Sequence, residues 1–361
     1  MYIYEDLNWW QFRYDSNEIM TPLSSLRRKQ GELMGRFFAL GFELQNEALL
    51  ETLSLDTIKS SEIEGEQLNL EQVRSSISRH LGLPQAGLAT PSHYIDGVVQ
   101  MMLDATQHYN EPLTHERLFG WHHALFPMGM SGLYKIDVGK YRSHAMEVVS
   151  GAMGRERVHY EAPDYQCVPA EMDRLVKWVN TSKKEDMVLC AAIAHIWFVT
   201  IHPFDDGNGR IARALTDMLL ARSDNSAMRF YSMSAAILQD KNRYYRVIEK
   251  TQHGDSNITE WILWFISCLD MALDNTKVVL ESTISKAEFW QHRKADEFNK
   301  RQKKIINRLF DGIEGKMTTS KWAKMCKCSQ DTALNDIRDL LKKDVLISLG
   351  DGRGTNYVLK K

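Results

Sequence analysis

The thirteen residues from Ile201 to Arg213, Ile-His-Pro-Phe-Asp-Asp-Gly-Asn-Gly-Arg-Ile-Ala-Arg, constrain this 361-residue chain more than any other stretch. The Ala-rich, apolar segment before them, 187–200, has the length of a buried helix. Pro203 disfavours helical backbone at the preceding residue, so this helix is expected to end at His202. A second helix is expected after the loop, because apolar residues recur there at helical spacing. They are Ile211, Leu215, Met218 and Leu219.

The loop and the start of the second helix suit a polyphosphate ligand. The first amides of a helix have no partner inside it, and the helix dipole places positive potential there. Gly207 and Gly209 let the backbone approach an anion closely. Arg210 and Arg213 share a helix face about 4.5 Å apart along its axis, so their planar guanidinium groups can hold successive phosphates.

Two further side chains of the stretch carry chemistry. Asp206 can hold Mg²⁺ against phosphate oxygens, and His202 can act as a general base near neutral pH. Two alternatives compete with a phosphate site. The glycine spacing also fits a dinucleotide fingerprint, which needs a preceding strand and an acid about 20 residues later. An ordinary turn is the other alternative, but a turn does not require the histidine and both arginines.

The stretch from His202 to Arg213 resembles the signature of the Fic family at every defining position. The resemblance implies a mostly helical core that moves AMP from ATP to the hydroxyl of a protein Ser, Thr or Tyr. It implies that His202 deprotonates that hydroxyl, which attacks the α-phosphorus as pyrophosphate leaves, while Asp206 holds Mg²⁺. It assigns Gly207, Asn208, Gly209 and Arg210 to the α- and β-phosphates, Arg213 to the γ-phosphate and Phe204 to the core. Doc-like kinases of the family carry Lys where this chain has Gly209, which favours AMP transfer.

A second motif lies upstream, where Ser60-x-x-x-Glu64-Gly65 resembles the inhibitory motif of Fic proteins. By that resemblance Glu64 pairs with Arg213 and occupies the place of the γ-phosphate. A carboxylate can replace a phosphate because arginine binds either group in a bidentate way. The alternative is structural: Ser61-x-x-Glu64 is a capping box, Asp56 can cap a short helix and Gly65 can end one.

The sequence predicts a mainly α fold with three parts. An N-terminal helical region with the inhibitory motif is expected at 1–90, a Fic-type helical core with a small β-hairpin flap at 91–290, and a winged-helix-like domain at 291–361. An aromatic cluster in 1–22 is expected to cover a core. One long helix is predicted at 23–50, further helices at about 92–108 and 114–126, and a buried helix at 261–269 with a polar helical connector at 275–304.

The flap and the nucleotide-base site are placed by resemblance to the family. Strands are predicted at 146–150 and 156–160 around a four-residue loop, 151–154. A flap there would hold the target segment by strand addition, and an ordinary surface hairpin is the alternative. Residues beside the nucleotide would be Val158, His159 and Tyr160 from the hairpin, with Tyr244, Tyr245 and Gln252 near the base and ribose.

The end of the chain differs in charge from the rest. Residues 301–361 hold 14 Lys and Arg against 7 Asp and Glu, whereas the whole chain has a formal charge of −2. Helices are predicted at 302–312, 319–325 and 329–342, followed by two strands around Gly350–Gly354. The pattern resembles a winged helix, which suggests DNA phosphates as a partner, with a protein-docking or homodimer module as the alternative.

Composition limits where the protein works. The five cysteines form no C-x-x-C pair, which favours a reducing compartment. The first residues lack the basic and apolar regions of a signal peptide, and no apolar run is long enough to cross a membrane. We therefore expect a cytoplasmic, autoinhibited adenylyltransferase that uses ATP and Mg²⁺ on a protein target or itself. Two other functions stay open, a DNA-binding regulator with a nucleotide-sensing or self-modifying Fic domain, and removal of AMP from a modified protein.

Overall fold

The computed structural model describes residues 1–83, 89–151, 157–182, 185–293, 296–310, 313, 315–350 and 354–360, excluding the side chains of 42, 43, 278, 279, 282, 283 and 287. Contacts divide the chain into two compact units, Met1–Thr276 and Lys277–Lys361. Within the described residues no helix combines the length and the apolar character needed to cross a membrane.

The first unit is built mainly from helices. They are α1 (Ser16–Phe38), α2 (Phe42–Ile63), α3 (Leu70–His80), α4 (His93–Gln107), α5 (His115–Leu125), α6 (Val168–Thr181), α7 (Met187–Ile201), α8 (Asn208–Asp224), α9 (Met233–Gln239), α10 (Lys241–Gln252) and α11 (Thr259–His292), the last of which runs on into the second unit. Two short antiparallel hairpins lie between α5 and α6. They are formed by β1 (Met130–Ser131) with β2 (Tyr134–Lys135), and by β3 (Glu147–Ser150) with β4 (Arg157–Glu161).

The centre of the first unit is the pair α7 and α8. Every residue of α7 from Val188 to Ile201 is buried, so this helix is apolar on all sides, as expected for the core of a large unit. Helix α8 is also buried over nearly its whole length and packs along α7. The pair is surrounded by other helices, with α4 and α5 against α8 and α6 against α7. The loop that joins the pair is therefore anchored at both ends by buried helices.

The N-terminal region contains one wrong prediction and one confirmed prediction. The single helix expected at 23–50 is two helices, because α1 ends at Phe38 and Gly41 is the N-cap of α2. Apolar spacing runs unbroken across that interruption, so periodicity could not reveal it. The aromatic cluster covers the core as expected: Trp9 packs edge-to-face on Trp197.

The hairpin of β3 and β4 lies close to its predicted place. Its register pairs Glu147 with Glu161 and Ser150 with Arg157, with an irregularity after Val148. Most of the predicted turn, 152–154, and the predicted first residue of the second strand, 156, lie outside the described residues. The hairpin is confirmed as a structural element, and its role as a flap stays a prediction.

In its described residues the second unit contains, after the end of α11, three further helices and one antiparallel strand pair around its own core. They are α12 (Lys300–Phe310), α13 (Thr319–Cys326), α14 (Gln330–Lys342), β5 (Leu346–Leu349) and β6 (Asn356–Leu359). Ile305, Trp322 and Ile337 are fully buried in this core. The connector predicted as helical over 275–304 is interrupted, because α11 ends at His292 and α12 begins at Lys300. The winged-helix class and the three-part division of the chain stay predictions.

Candidate active site

The loop between α7 and α8 has the helix–loop–helix form that its sequence predicts. Helix α7 ends at Ile201, and His202 follows in the left-handed region with φ 51° and ψ 60°. A left-handed conformation is uncommon for a residue other than glycine, and such residues concentrate at functional sites. Gly207 has φ 80° just before α8 begins at Asn208. The chain thus turns twice between the two buried helices.

The imidazole of His202 is oriented by a backbone carbonyl. Its Nδ1 lies 3.3 Å from the carbonyl oxygen of Val199, which can only accept, so Nδ1 carries the proton and Nε2 keeps a free lone pair. Burial lowers the pKa of His202 to about 4, although the carboxylates of Asp206 and Glu64 act in the opposite direction. The ring is therefore neutral near pH 7. The amide of Gln252 donates to the same Val199 carbonyl at 3.3 Å.

Arg142, which the sequence analysis did not identify, holds the backbone around His202. Its Nε donates to the His202 carbonyl oxygen at 2.8 Å, and its backbone N–H donates to the Pro203 carbonyl oxygen at 2.9 Å. Its guanidinium also donates to the carbonyl oxygens of His144 at 2.8 Å and Pro163 at 2.5 Å. An arginine buried among four carbonyls gives no sequence signal, because all its partners are backbone groups.

The interior of the loop is closed by Phe204 and Asn208. Phe204 is fully buried, and its ring stacks on His122 with centroids 4.2 Å apart. The side chain of Asn208 accepts from the Phe204 N–H at 3.0 Å and donates to the Phe204 carbonyl at 2.7 Å. The amide side chain is therefore engaged inside the loop, which leaves the backbone N–H of Asn208 for any contact with phosphate.

The start of α8 has the form of an anion site. Gly207 is closely packed, because a Cβ there would lie 2.9 Å from the ring of Phe126. Gly209 faces the site, where a Cβ would lie 2.3 Å from Oε1 of Glu64. The Glu64 carboxylate therefore lies beside the first turn of this seventeen-residue helix, where the dipole favours negative charge.

Glu64 and Arg213 are joined by an ion pair. Nη2 of Arg213 lies 2.7 Å from Oε1 of Glu64 and also donates to the Ser60 carbonyl at 2.8 Å. Its Nε donates to Oγ of Ser60 at 2.9 Å. Burial lowers the pKa of Arg213, but the Glu64 carboxylate outweighs burial and the net pKa is raised. Nη1 of this buried arginine has no hydrogen-bond partner among the described residues.

The end of α2 fixes the position of Glu64. The helix ends at Ile63, and Gly65 follows in the left-handed region with φ 85°. Gly65 N–H donates to the Glu62 carbonyl and Glu66 N–H donates to the Ser61 carbonyl, both at 3.0 Å, which is the hydrogen-bond pattern of a Schellman C-cap. The prediction that Gly65 ends a helix is confirmed. The capping-box alternative is wrong, because Ser61 and Glu64 lie at the end of a helix.

Asp56, expected to begin a short helix, lies inside α2 instead. Its buried carboxylate accepts from the hydroxyl of Ser232 at 2.5 Å and from the N–H of Ser234 at 3.0 Å. These contacts join α2 to the start of α9, so Asp56 stabilises the start of another helix than the one predicted.

Arg210 has a carboxylate partner that the sequence analysis missed. Its Nη1 donates to Glu66 at 3.0 Å and to the hydroxyl of Tyr94 at 2.8 Å, and the Tyr94 hydroxyl in turn donates to Glu66. The guanidinium lies over the ring of Phe126, 5.0 Å from its centroid. Glu66 lies two residues after Glu64. Its position in the sequence indicates an arginine partner only after the pairing of Glu64 with Arg213 is known.

The two neighbouring carboxylates of the loop accept hydrogen bonds from the hairpin of β1 and β2 and from the residues that follow it. Asp205 accepts from the N–H of Asp137 at 2.9 Å, and Asp206 accepts from the hydroxyl of Ser131. The other oxygen of Asp206 lies 4.0 Å from Nη2 of Arg210. The described residues contain no group of three or more His, Cys, Asp or Glu side chains that could hold a metal ion. Any cation at Asp206 would therefore need ligands from substrate and water.

The remaining predicted residues lie in three different environments. Val158 is exposed on β4, and Nδ1 of His159 lies 3.1 Å from Glu249. Tyr160 is buried, and its hydroxyl donates to the Thr200 carbonyl at 2.7 Å. Tyr244 is buried, with its hydroxyl 2.9 Å from Nε2 of His195. Tyr245 is half-exposed, with its hydroxyl 3.4 Å from the Ile63 carbonyl.

Comparison with known proteins gives family matches to two parts of the chain. A Fic/DOC family model matches residues 112–220, and a model described as a domain of unknown function, DUF4172, matches residues 2–83. Curated relatives named protein adenylyltransferase Fic include one from Nematostella vectensis, 22% identical over 219 residues, 60% of this chain and 46% of the relative. Another, from Drosophila ananassae, is 33% identical over 105 residues, 28% of this chain and 20% of the relative. The chain thus spans less than half the length of these curated relatives.

Solved structures share the fold. A Fic family protein from Desulfovibrio desulfuricans G20 superposes with a TM-score of 0.52 at 21% identity, over 94% of this chain and 96% of the other. A Fic-domain-containing signalling protein from Bacteroides thetaiotaomicron gives a TM-score of 0.52 at 22% identity, over 74% and 97% of the two chains. The prediction of a mainly helical, Fic-type fold is confirmed. The family model, the named relatives and the shared fold thus agree that this chain is similar to Fic proteins, with the Fic/DOC match at residues 112–220.

Proposed function

We propose that the chain is an autoinhibited protein adenylyltransferase, which transfers AMP from ATP to a Ser, Thr or Tyr hydroxyl of a protein, itself included. One observation carries the proposal. The loop that leads into the N-terminus of α8 carries the neutral imidazole of His202, which has a free Nε2. Two buried arginines of α8 each contact a carboxylate beside it. The curated relatives named protein adenylyltransferase support the same activity.

The proposed reaction uses the residues of this loop in distinct roles. The acceptor hydroxyl oxygen forms a bond to the α-phosphorus, the bond from that phosphorus to the bridging oxygen breaks, and pyrophosphate leaves. The hydroxyl proton moves to Nε2 of His202, which is available because Nδ1 is already protonated. Arg142 keeps the His202 backbone in place. Backbone amides at Gly207, Asn208 and Gly209 hold the α- and β-phosphates with Arg210, and Arg213 holds the γ-phosphate.

Asp206 fits a role beside Mg²⁺. Its carboxylate is 42% exposed and lies next to the N-terminus of α8. A hard cation takes oxygen ligands, so one carboxylate with phosphate oxygens and water would complete its coordination. Bound there, Mg²⁺ would neutralise phosphate charge. Ser131 now donates to the same carboxylate and would exchange that contact for another.

The base and ribose of ATP would lie toward the flap hairpin and α10. Val158, His159 and Tyr160 are the proposed residues on the hairpin side. Tyr244, Tyr245 and Gln252 are those on α10. Support comes from position, since Gln252 shares the Val199 carbonyl with the catalytic imidazole and Tyr245 lies near the end of α2.

Autoinhibition is proposed from the contact of Glu64 with Arg213. A carboxylate 2.7 Å from the guanidinium occupies the place where a terminal phosphate would bind. ATP would then bind with its γ-phosphate displaced and its α-phosphorus out of line with the acceptor. About 1 Å of misplacement can cost about 100-fold in rate, so this contact would slow AMP transfer by about that factor.

The test uses ATP labelled at the α-phosphate. In a Glu64→Gly background, His202→Ala should lose about 10²–10⁴-fold in label transfer, since that is the usual contribution of a general base. Calorimetric affinity for ATP should change little, because the phosphates are bound by other groups. Replacing the exposed His93 with Ala is the matched control. Transfer at an undiminished rate without His202 would exclude this mechanism.

Two other functions are separated by the same assay. A DNA-binding regulator is favoured by the basic segment 301–361, with 14 cationic and 7 acidic residues. It would retard DNA in a gel shift yet label no protein other than itself. A homodimer through this segment would instead show in sedimentation. Removal of AMP would appear as loss of label from a pre-labelled protein, abolished by Glu64→Gly.

All five cysteines are free, which suits the proposed cytoplasmic location.

A further inference from the structure

Arg210 is held in a closed three-way contact that the reaction proposed above does not use. The guanidinium donates to Glu66 and to Tyr94, and Tyr94 donates to Glu66, so each member touches the other two. Only 2% of the Arg210 side chain is exposed, whereas 40% of the Glu66 side chain is exposed. The arginine is fixed in the core, and the carboxylate reaches it from the side open to solvent.

Glu66 and Glu64 come from the same turn of chain. The C-cap of α2 places Gly65 between them in the left-handed region, so that the two carboxylates reach two different arginines. Those arginines lie one helical turn apart on α8, about 4.5 Å along its axis. Each of the two arginines proposed to bind phosphate therefore already holds a carboxylate from the same segment.

We infer that Glu66 is a second competitor for the nucleotide site, where it competes with the phosphate that Arg210 would bind. Tyr94 is the neutral group that keeps Arg210 in place when Glu66 leaves. The inference rests on the proposed function for the identity of the anion. Arg210 is nearer than Arg213 to the N-terminus of α8, so its phosphate lies nearer to the α-phosphorus. Glu64 then opposes only a nucleotide with a γ-phosphate, whereas Glu66 opposes a diphosphate as well.

The segment can release Arg210 without unfolding a helix. Residues 64–69 lie between α2 and α3 in turn or irregular backbone, and the helix on each side has its own cap. Tyr94 stands on α4, a separate element, and so does not have to move with Glu66. Its hydroxyl can accept from Arg210 while donating to a phosphate oxygen instead of to Glu66.

Binding of ADP and ATP by calorimetry tests the inference, with wild type, Glu66→Gln, Glu64→Gln and Glu62→Gln compared. Glu62 is the control, because it lies on the same turn of α2 but pairs with Lys59 at the surface. Glu66→Gln should bind ADP about tenfold tighter, as expected if the free arginine is about a tenth of the resting population. Glu64→Gln should tighten ATP and leave ADP unchanged. The aspartate side chain of Glu66→Asp is too short to reach Arg210, so this variant should tighten ADP binding as Glu66→Gln does. It replaces Glu66→Gln in the comparison if that variant folds poorly.

Tyr94→Phe gives a second readout. In the Glu66→Gln background, loss of the hydroxyl should weaken ADP binding several-fold, because Arg210 would lose the hydroxyl that keeps it in place. ADP affinity that is equal in wild type, Glu66→Gln and Glu66→Asp, with ATP still responding to Glu64→Gln, would make the Glu66 contact purely structural and leave the proposed function standing. Failure of all variants to bind either nucleotide would overturn the proposed function and this inference with it.

Discussion

At the scale of single residues, the loop is held by side chains whose polar atoms are already in use. Asn208 is one case: the motif suggests a phosphate contact, but its amide makes two hydrogen bonds to the backbone of Phe204. Arg142 is another, with carbonyl oxygens as its partners. The shape of the loop is therefore held by atoms other than those proposed to contact phosphate.

Asn208→Ala should destabilise the protein by about 2–4 kcal/mol, because the buried N–H and carbonyl of Phe204 would both lose their partner. Denaturant unfolding followed by circular dichroism measures this loss. Asn17→Ala, an exposed position on α1, should stay within about 0.5 kcal/mol of wild type. Equal stability of the two variants would show that the loop does not depend on the amide.

The motif residues could be predicted from sequence because they are contiguous and their chemistry is explicit. His202, Arg210 and Arg213 lie at one end of α8 as expected. Glu66, Tyr94 and Ser131 could not be found in this way. Their contacts with the loop and α8 join residues 75 to 144 positions apart, and no local pattern distinguishes them from surface residues.

At the scale of elements, the end of α2 places the Glu64 carboxylate against Arg213 of α8. Its Schellman cap needs a left-handed residue at Gly65, and that turn directs Glu64 onto Arg213. The helix end was predictable from the glycine, whereas the break before Gly41 was not, because apolar spacing continues through it. Gly65 can be recognised as a cap from the local sequence. Which arginine the neighbouring Glu64 contacts depends on how the helices pack.

Glu64→Gly should raise label incorporation from α-labelled ATP by about 10- to 100-fold, because a γ-phosphate could then bind Arg213 in line. Melting temperature should fall slightly, since one ion pair is lost. Glu62→Gly is the control, with the same substitution on the same helix turn. Arg213→Ala should not reproduce the gain, because it also removes the phosphate's partner. A Glu64 variant that is less stable and no more active would restrict this residue to a structural role.

At the scale of the whole molecule, buried histidines tie stability to pH. Burial lowers the pKa of His122 to about 4 and that of His195 to about 3, whereas the unfolded chain titrates near 6.5. The unfolded state therefore binds more protons as the pH falls below about 6.5. Stability must drop over that range, down to the pKa values of the folded state.

His195→Gln should make this dependence shallower by about 1.4 kcal/mol per pH unit between pH 6 and 4.5, the contribution of one proton. Denaturant unfolding at several pH values gives the slope, which is independent of any fixed loss of stability from the substitution. His93→Gln, at an exposed position, is the control. An unchanged slope without His195 would show that its ring takes up a proton equally in both states.

The hydrogen bonds of Arg213 also have a consequence for how the protein is assembled. Its partners Ser60 and Glu64 lie 153 and 149 residues away along the chain, and both precede the segment 112–220 matched by the Fic family model. Contacts of such long range carry a larger entropy cost of loop closure than contacts between neighbouring elements. A fragment limited to that segment would contain α7, the loop and all but the last four residues of α8, but it would lack Ser60 and Glu64. The proposed inhibition would therefore depend on a part of the chain separate from the residues proposed to carry the reaction, and a fragment without that part would lack it.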